Sequence, residues 1–252
     1  MIHWKDRLRA SGIHLSISLA IAALAGLLVF GLWFPYPYRE ISGGRDLFMI
    51  VVAVDVILGP LITLTIFNRA KPWAELRRDL AIVGLIQLAG LLYGMWTVAL
   101  ARPVHLVFEI DRFRVVHAVD VPPELLDRAP ANLQAMPWLG PTLLAVRPFR
   151  NSQESMEATL AALRGLPLGA RPDFWQSYAQ AKPQLLKAIK SVEILKARFP
   201  DRASEIDAVL QTVGRHAEST SYLPMAGRKF YWTAFVDPVT ADVVAFMPLD
   251  SF

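Results

Sequence analysis

Cysteine is absent from the 252 residues, which excludes disulfides and thiolate metal sites. No G-x-S-x-G, H-E-x-x-H, P-loop or G-x-G-x-x-G pattern occurs, so the chain carries no fingerprint of a serine hydrolase, zinc peptidase, nucleotide hydrolase or dinucleotide enzyme. Surplus charge is scarce as well. Residues 1–100 hold 9 basic and 6 acidic side chains and residues 101–252 hold 17 and 16, so most of the net +4 lies in the first part. A nearly neutral C-terminal region lacks the basic face that phosphate binding needs, which argues against a nucleic-acid partner.

Histidine is limited to five residues. His105 and His117, with Glu109 or Asp111, are the one set that can be drawn as a metal site. Strand periodicity places His105, Glu109 and Asp111 on one face but leaves His117 in an uncertain register, so ordinary strand histidines are the better reading. His14 lies beside the predicted membrane surface, and His216 and His3 stand alone. Asp111 with Asp120, and Asp237 with Asp242, lie at or near turns, where aspartate serves backbone hydrogen bonding. No catalytic, cofactor or metal site is predicted.

Apolar residues are abundant, at 54 % of the chain, and unevenly spread. Three apolar runs, about 13–34, 47–67 and 80–100, each have the length that crosses a ~30 Å hydrocarbon core at ~1.5 Å rise per residue. Apolar all round, they read as membrane spans and not as buried core helices. The first run could be taken for a secretion signal, with Lys5, Arg7 and Arg9 before it and Ala23-Leu24-Ala25 as a cleavage site. It continues apolar through Phe34, however, and is retained as a span. The predicted organisation is a three-span transmembrane domain at 1–100 and an α+β domain at 101–252.

Basic residues set the orientation. Lys5, Arg7 and Arg9 precede the first span, and Arg69, Lys71, Arg77 and Arg78 crowd the second loop. The N-terminus and that loop are therefore predicted to be cytoplasmic, and the C-terminal domain to lie outside the membrane. Trp33, Phe34, Tyr36 and Tyr38 suit the outer interface, and Trp73 the inner one.

Within the second span one acid, Asp55, interrupts an apolar run. An ionised carboxylate at such depth costs roughly 2.5 to 3.5 kcal/mol, so it needs a partner. Counting helix rise places Tyr93 and Gly26 near its level and Gln87 deeper. Two roles stand open: an internal polar tie to Tyr93 or Gln87, or a docking point for another transmembrane helix. Gly59-Pro60 one turn on predicts a kink and a freed carbonyl near Val56.

In the C-terminal domain, Val104 to Ile110 and Phe113 to Val119 read as a hairpin turning at Asp111-Arg112. Lys229 to Val236 and Asp242 to Met247 read as a second hairpin. Helical patterns cover 152–164, 174–198 and 201–215. Together they predict an α+β sandwich of a four-stranded sheet and a helical layer. Trp138, Trp175, Tyr231 and Trp232, with Phe230, are large aromatics near proline or glycine and are candidates for a partner surface.

Several stretches carry a family resemblance. Ala10-Ser11-Gly12-Ile13-His14-Leu15, Val54 to Leu61 and Ala101 to Phe113, then Met136 to Pro141, Arg171 to Trp175, Tyr222-Leu223-Pro224 and Met247 to Asp250, resemble in order the TfpX/TfpZ family of type IV pilin accessory proteins. The resemblance implies a bacterial inner-membrane protein with a periplasmic C-terminal domain that assists its cognate pilin, and it implies no catalytic residues or cofactor. Pilin, possible further pilus-assembly proteins and membrane lipid are the implied partners. A membrane-anchored enzyme acting on pilin or lipid would need clustered acids or histidines, and an extracytoplasmic sensor would need a cytoplasmic output module.

Overall fold

The computed structural model describes residues 4–252, so that His3 lies outside the described residues. Three helices, Trp4–Trp33, Gly44–Ile66 and Trp73–Leu100, are long and apolar enough to cross a membrane. They begin before the apolar runs because the helical backbone continues through the polar flanks. Their contacts lie mainly along one face of each. At one end Val29, Phe34, Phe48 and Val98 form a buried cluster, and Gly44 lies against the Phe34 ring. Two stretches wind in the wider π register, Val29–Trp33 in the first span and Val54–Leu58 in the second.

After the third span the chain forms eight strands: β1 (Pro103–Glu109), β2 (Arg112–His117), β3 (Thr142–Val146), β4 (Trp175–Ser177), β5 (Lys190–Ser191), β6 (Ser221–Ala226), β7 (Tyr231–Val236) and β8 (Val243–Met247). They make one sheet in the order β4-β3-β1-β2-β6-β7-β8, with β5 paired to β6. The fold class is as predicted, three spans followed by a mixed sheet-and-helix domain. The sheet is larger than the four strands expected. β6 joins the two hairpins by running parallel to β2 and antiparallel to β7. Pro224 hid it, since proline argues against a central strand. Pairing with β2 involves only Met225 and Ala226, so the missing Pro224 N–H is not needed on that side. The first hairpin turns at Ile110-Asp111, one residue earlier than expected, with Glu109 opposite Arg112. The helix predicted over 174–198 is divided: β4 comes first, then helices Tyr178–Ala188 and Val192–Arg198 with β5 between them.

Period-two alternation sorts the core. Leu106, Phe108, Phe113, Val115, Leu223, Met225 and Ala234 point to one face, against Ala181 and Leu185 of helix Tyr178–Ala188. The opposite face divides in two. Val107, Val116, Leu144 and Trp175 pack with Ala158 of helix Ser152–Leu163, whereas Tyr222, Phe235 and Met247 pack with helices Val192–Arg198 and Ala203–Thr212. Both faces are covered, which is why the strands read as apolar runs more than as clean alternation.

The first face has a contributor from outside the domain. Tyr38 and Ile41, in the loop between the first two spans, belong to the same buried cluster, and a Cβ on Gly227 would meet Ile41 Cγ1 at 2.6 Å. The membrane part and the C-terminal domain therefore share a core.

The strand histidines are part of that interior and do not face each other. His105 is fully buried; its Nδ1 lies 2.7 Å from Thr142 Oγ1 and its Nε2 2.9 Å from the Ala135 carbonyl, with the ring edge-on to Trp175. Burial pushes its pKa down to about 4, against the opposing pull of the Ala135 carbonyl. His117 instead pairs through Nδ1 with Asp120 at 2.9 Å. Asp237 caps its turn by accepting from the Val239 and Thr240 N–H groups, and these bonds hold its carboxyl below the usual range.

Two outcomes follow from this packing. Ile41→Ala is expected to destabilise the C-terminal domain by about 2–5 kcal/mol although it lies in a loop between spans. Limited proteolysis of the purified full chain against temperature checks this, and an unchanged C-terminal domain would contradict the shared core. His105 stays neutral when folded and takes a proton below pH ~6.5 when unfolded. Its contribution is thus complete above that pH and declines toward pH about 4. The loss is on the order of 3 kcal/mol. Thermal melts from pH 7 to pH 4 should show His105→Gln with a flatter pH dependence than the native chain, and equal slopes would count against it.

Candidate functional site

Pro60 sits in the second span, where it cannot donate a backbone hydrogen bond. In α register the carbonyl left over would be that of Val56. Because Val54–Leu58 winds in π register, the residue facing Pro60 is Asp55 instead. The third span answers that gap: Gln87 Nε2 donates to the Asp55 carbonyl at 3.3 Å. Only glycine admits this reach, since a Cβ at position 59 would lie 1.8 Å from Gln87 Nε2. From the first span, Ser11 Oγ donates to the Pro60 carbonyl at 2.9 Å, and His14 Nδ1 lies 2.6 Å from Thr63 Oγ1. Polar groups of all three helices therefore meet along one seam.

The Asp55 side chain points elsewhere. It lines a cavity of about 160 Å³ with His14, Ser18, Gly84, Gln87 and Leu91. Among the described residues its carboxylate takes no hydrogen bond, although its own backbone carbonyl does. The backbone is satisfied and the acid is left facing the cavity.

Of the two internal ties expected, Gln87 makes one to the Asp55 backbone and Tyr93 makes none. Tyr93 is 69 % exposed, with its ring 5.9 Å from Trp96. From Gln87 to Tyr93 the helix turns through about 240°, so the two side chains leave on different faces. Val51 meets Gly94, which sets the second and third spans so that Gln87, and not Tyr93, falls beside the Asp55–Gly59 turn. Gly26 packs on Phe48, nearer the end of the bundle than Asp55.

The aromatic candidates of the C-terminal domain also separate. Trp175 and Trp232 are buried and belong to the sheet core, Trp175 Nε1 donating to the Gly169 carbonyl. Each ring packs into a buried cluster on a covered face of the sheet, Trp232 on one face and Trp175 on the other, which corrects their assignment to a surface. Tyr231 is half exposed against Phe252. Trp138 is exposed at the junction with the spans. The polar seam had a signal in the sequence at Asp55, Gln87 and Gly59-Pro60. Ser11 and His14 had none as partners, because a lone serine or histidine near a helix end reads as surface.

The family model described as fimbrial assembly protein FimB matches residues 2–43, the first span and the loop that enters the C-terminal core. Among curated proteins, a fimbrial assembly protein of serogroup I from Dichelobacter nodosus is 32 % identical over 247 residues, covering 97 % of this chain and 95 % of its own length. That of serogroup E1 from the same organism is 32 % identical over 250 residues, with the same coverage. A third, of serogroups C1 and C2, is 41 % identical over 122 residues, 48 % of this chain and 91 % of its own. No solved structure matches. Similarity of this extent runs through the spans and the C-terminal domain alike, and the chain belongs to the fimbrial assembly protein family.

Proposed function

We propose that the protein is an accessory, chaperone-like membrane protein of the TfpX/TfpZ type that assists its cognate type IV pilin in stability, assembly or surface display. In this reading it sits in the bacterial inner membrane with its N-terminus cytoplasmic and its C-terminal domain periplasmic. It acts by binding and not by catalysis. Family membership supports a role in fimbrial assembly. The observation that carries the finer reading is the carboxyl of Asp55, which lines a cavity between the spans beside His14 and accepts no hydrogen bond among the described residues.

A bundle that used Asp55 only to hold itself together would pair that carboxyl, because an unpaired polar group in hydrocarbon costs several kcal/mol. Gln87 and Ser11 already stitch the backbone. What remains open is a mid-membrane acceptor suited to a donor on a visiting helix, and a membrane-anchored pilin subunit waiting for assembly offers such a helix.

The roles separate by substitution. Asp55→Leu is expected to leave protein level unchanged and to reduce pilin co-purification and surface pili by about tenfold, as removal of a buried hydrogen bond to a charged group would. Asp55→Asn keeps the hydrogen-bonding capacity and should remain near the native level. Tyr93→Phe should be silent. Surface pili at native abundance in Asp55→Leu cells would reject the docking role.

A further inference from the structure

The loop that leads into β3 carries two strongly exposed apolar side chains, Trp138 at 62 % and Leu139 at 70 %. It is not a free loop. Gly140 N–H donates to the Leu32 carbonyl at 2.8 Å, close to the end of the first span. The backbone turns there with φ +58, a conformation that glycine takes without strain. From the end of the third span Arg102 reaches across: Nη1 donates to the Ala99 carbonyl at 2.6 Å and Nη2 to the Pro137 carbonyl at 3.4 Å. Its guanidinium lies 4.5 Å above the Trp138 ring. The carbonyl end of the third helix and the ring face compensate a buried cation that forms no ion pair among the described residues. Two spans thus clamp the loop at the level where they end.

The height of that level follows from the charge-free run 80–100 of the third span, which measures ~30 Å, the thickness of a hydrocarbon core, and so sets one edge near Leu100. Tyr93 and Trp96 are exposed one to two turns beneath that edge, and Trp4 and Trp73 are exposed beyond the opposite end of the run. Leu32 and Ala99, which hold the loop, lie at the same end as Tyr93 and Trp96.

We infer that the Trp138–Leu139 tip inserts into the bilayer interface beside the spans, so that phospholipid at headgroup and upper-chain depth covers it. The C-terminal domain then makes its own contact with the membrane and cannot tilt away from the bundle. Tryptophan is suited to this depth because its ring prefers the interface, while leucine reaches the first methylenes. The contact uses only the chain and lipid, and it stands or falls independently of pilin binding.

The absence of cysteine makes the test direct. Leu139→Cys, and separately Val239→Cys as the comparison, each give the full chain one thiol for an NBD fluorophore. Val239 is 81 % exposed at the β7–β8 turn, at the end of the sheet away from the spans. Both proteins are reconstituted in phosphatidylcholine vesicles and quenched by aqueous iodide or by phosphatidylcholine with a nitroxide near the headgroup. The label at 139 is expected to be about threefold less accessible to iodide than that at 239, and about threefold more quenched by the lipid nitroxide. Iodide access equal to that at 239 would overturn the inference and leave the tip as a water-facing surface for a protein partner. Shielding from both quenchers would also overturn it, by showing protein and not lipid over the tip.

Discussion

The missing N–H of Pro60, placed where no water can replace it, is the constraint on which the membrane part depends. In hydrocarbon each backbone carbonyl must find a donor within the protein. The second span answers with a π turn, which presents the Asp55 carbonyl, and the third span with Gln87. The Pro60 carbonyl takes Ser11 from the first span, and Gly59 leaves the space that Gln87 crosses. Helix association in lipid has little hydrophobic drive, so a few such bonds and close backbone approaches decide which helices meet and in what register. The register that follows turns the Asp55 carboxyl into a cavity and Tyr93 out of it.

The same rigidity is carried beyond the membrane. Ile41 and Tyr38 enter the sheet core from the first loop, and Arg102 and Gly140 tie the β3 approach to the ends of the third and first spans. A chain built this way holds a cavity between its helices and a folded domain beyond their ends in one fixed relation. That geometry suits the proposed partner, a subunit with an apolar helix in the membrane and a head outside it.

Much of this was legible in the sequence, and the part that was not has identifiable causes. Span number and approximate limits follow from run length against bilayer thickness, a one-dimensional quantity. Asp55 stood out because a single acid in an apolar run has no ordinary reason to be there. Its partner was harder to read: depth counted along straight α helices left Tyr93 and Gln87 both open, and the π turn with the packing of Val51 on Gly94 brings Gln87 and not Tyr93 to the Asp55 turn. Rotation about a helix axis is a tertiary property. In the C-terminal domain the two hairpins were visible because their strands are contiguous. β6 was not, since Pro224 disguised a central strand whose pairing to β2 involves only Met225 and Ala226. Trp175 and Trp138 both stood near proline, and only burial separated the core ring from the exposed one.

Whether a partner helix enters at the Asp55 cavity can be read most directly by crosslinking in cells that make the cognate pilin. A photoreactive benzophenone residue replaces Ile21, which lines the cavity, or Leu85, which is exposed on another face of the third span. Docking predicts a pilin adduct from position 21 that disappears when Asp55→Leu is combined with it, and little or none from position 85. Adducts of equal yield from both positions, or an adduct at 21 that persists without Asp55, would contradict it.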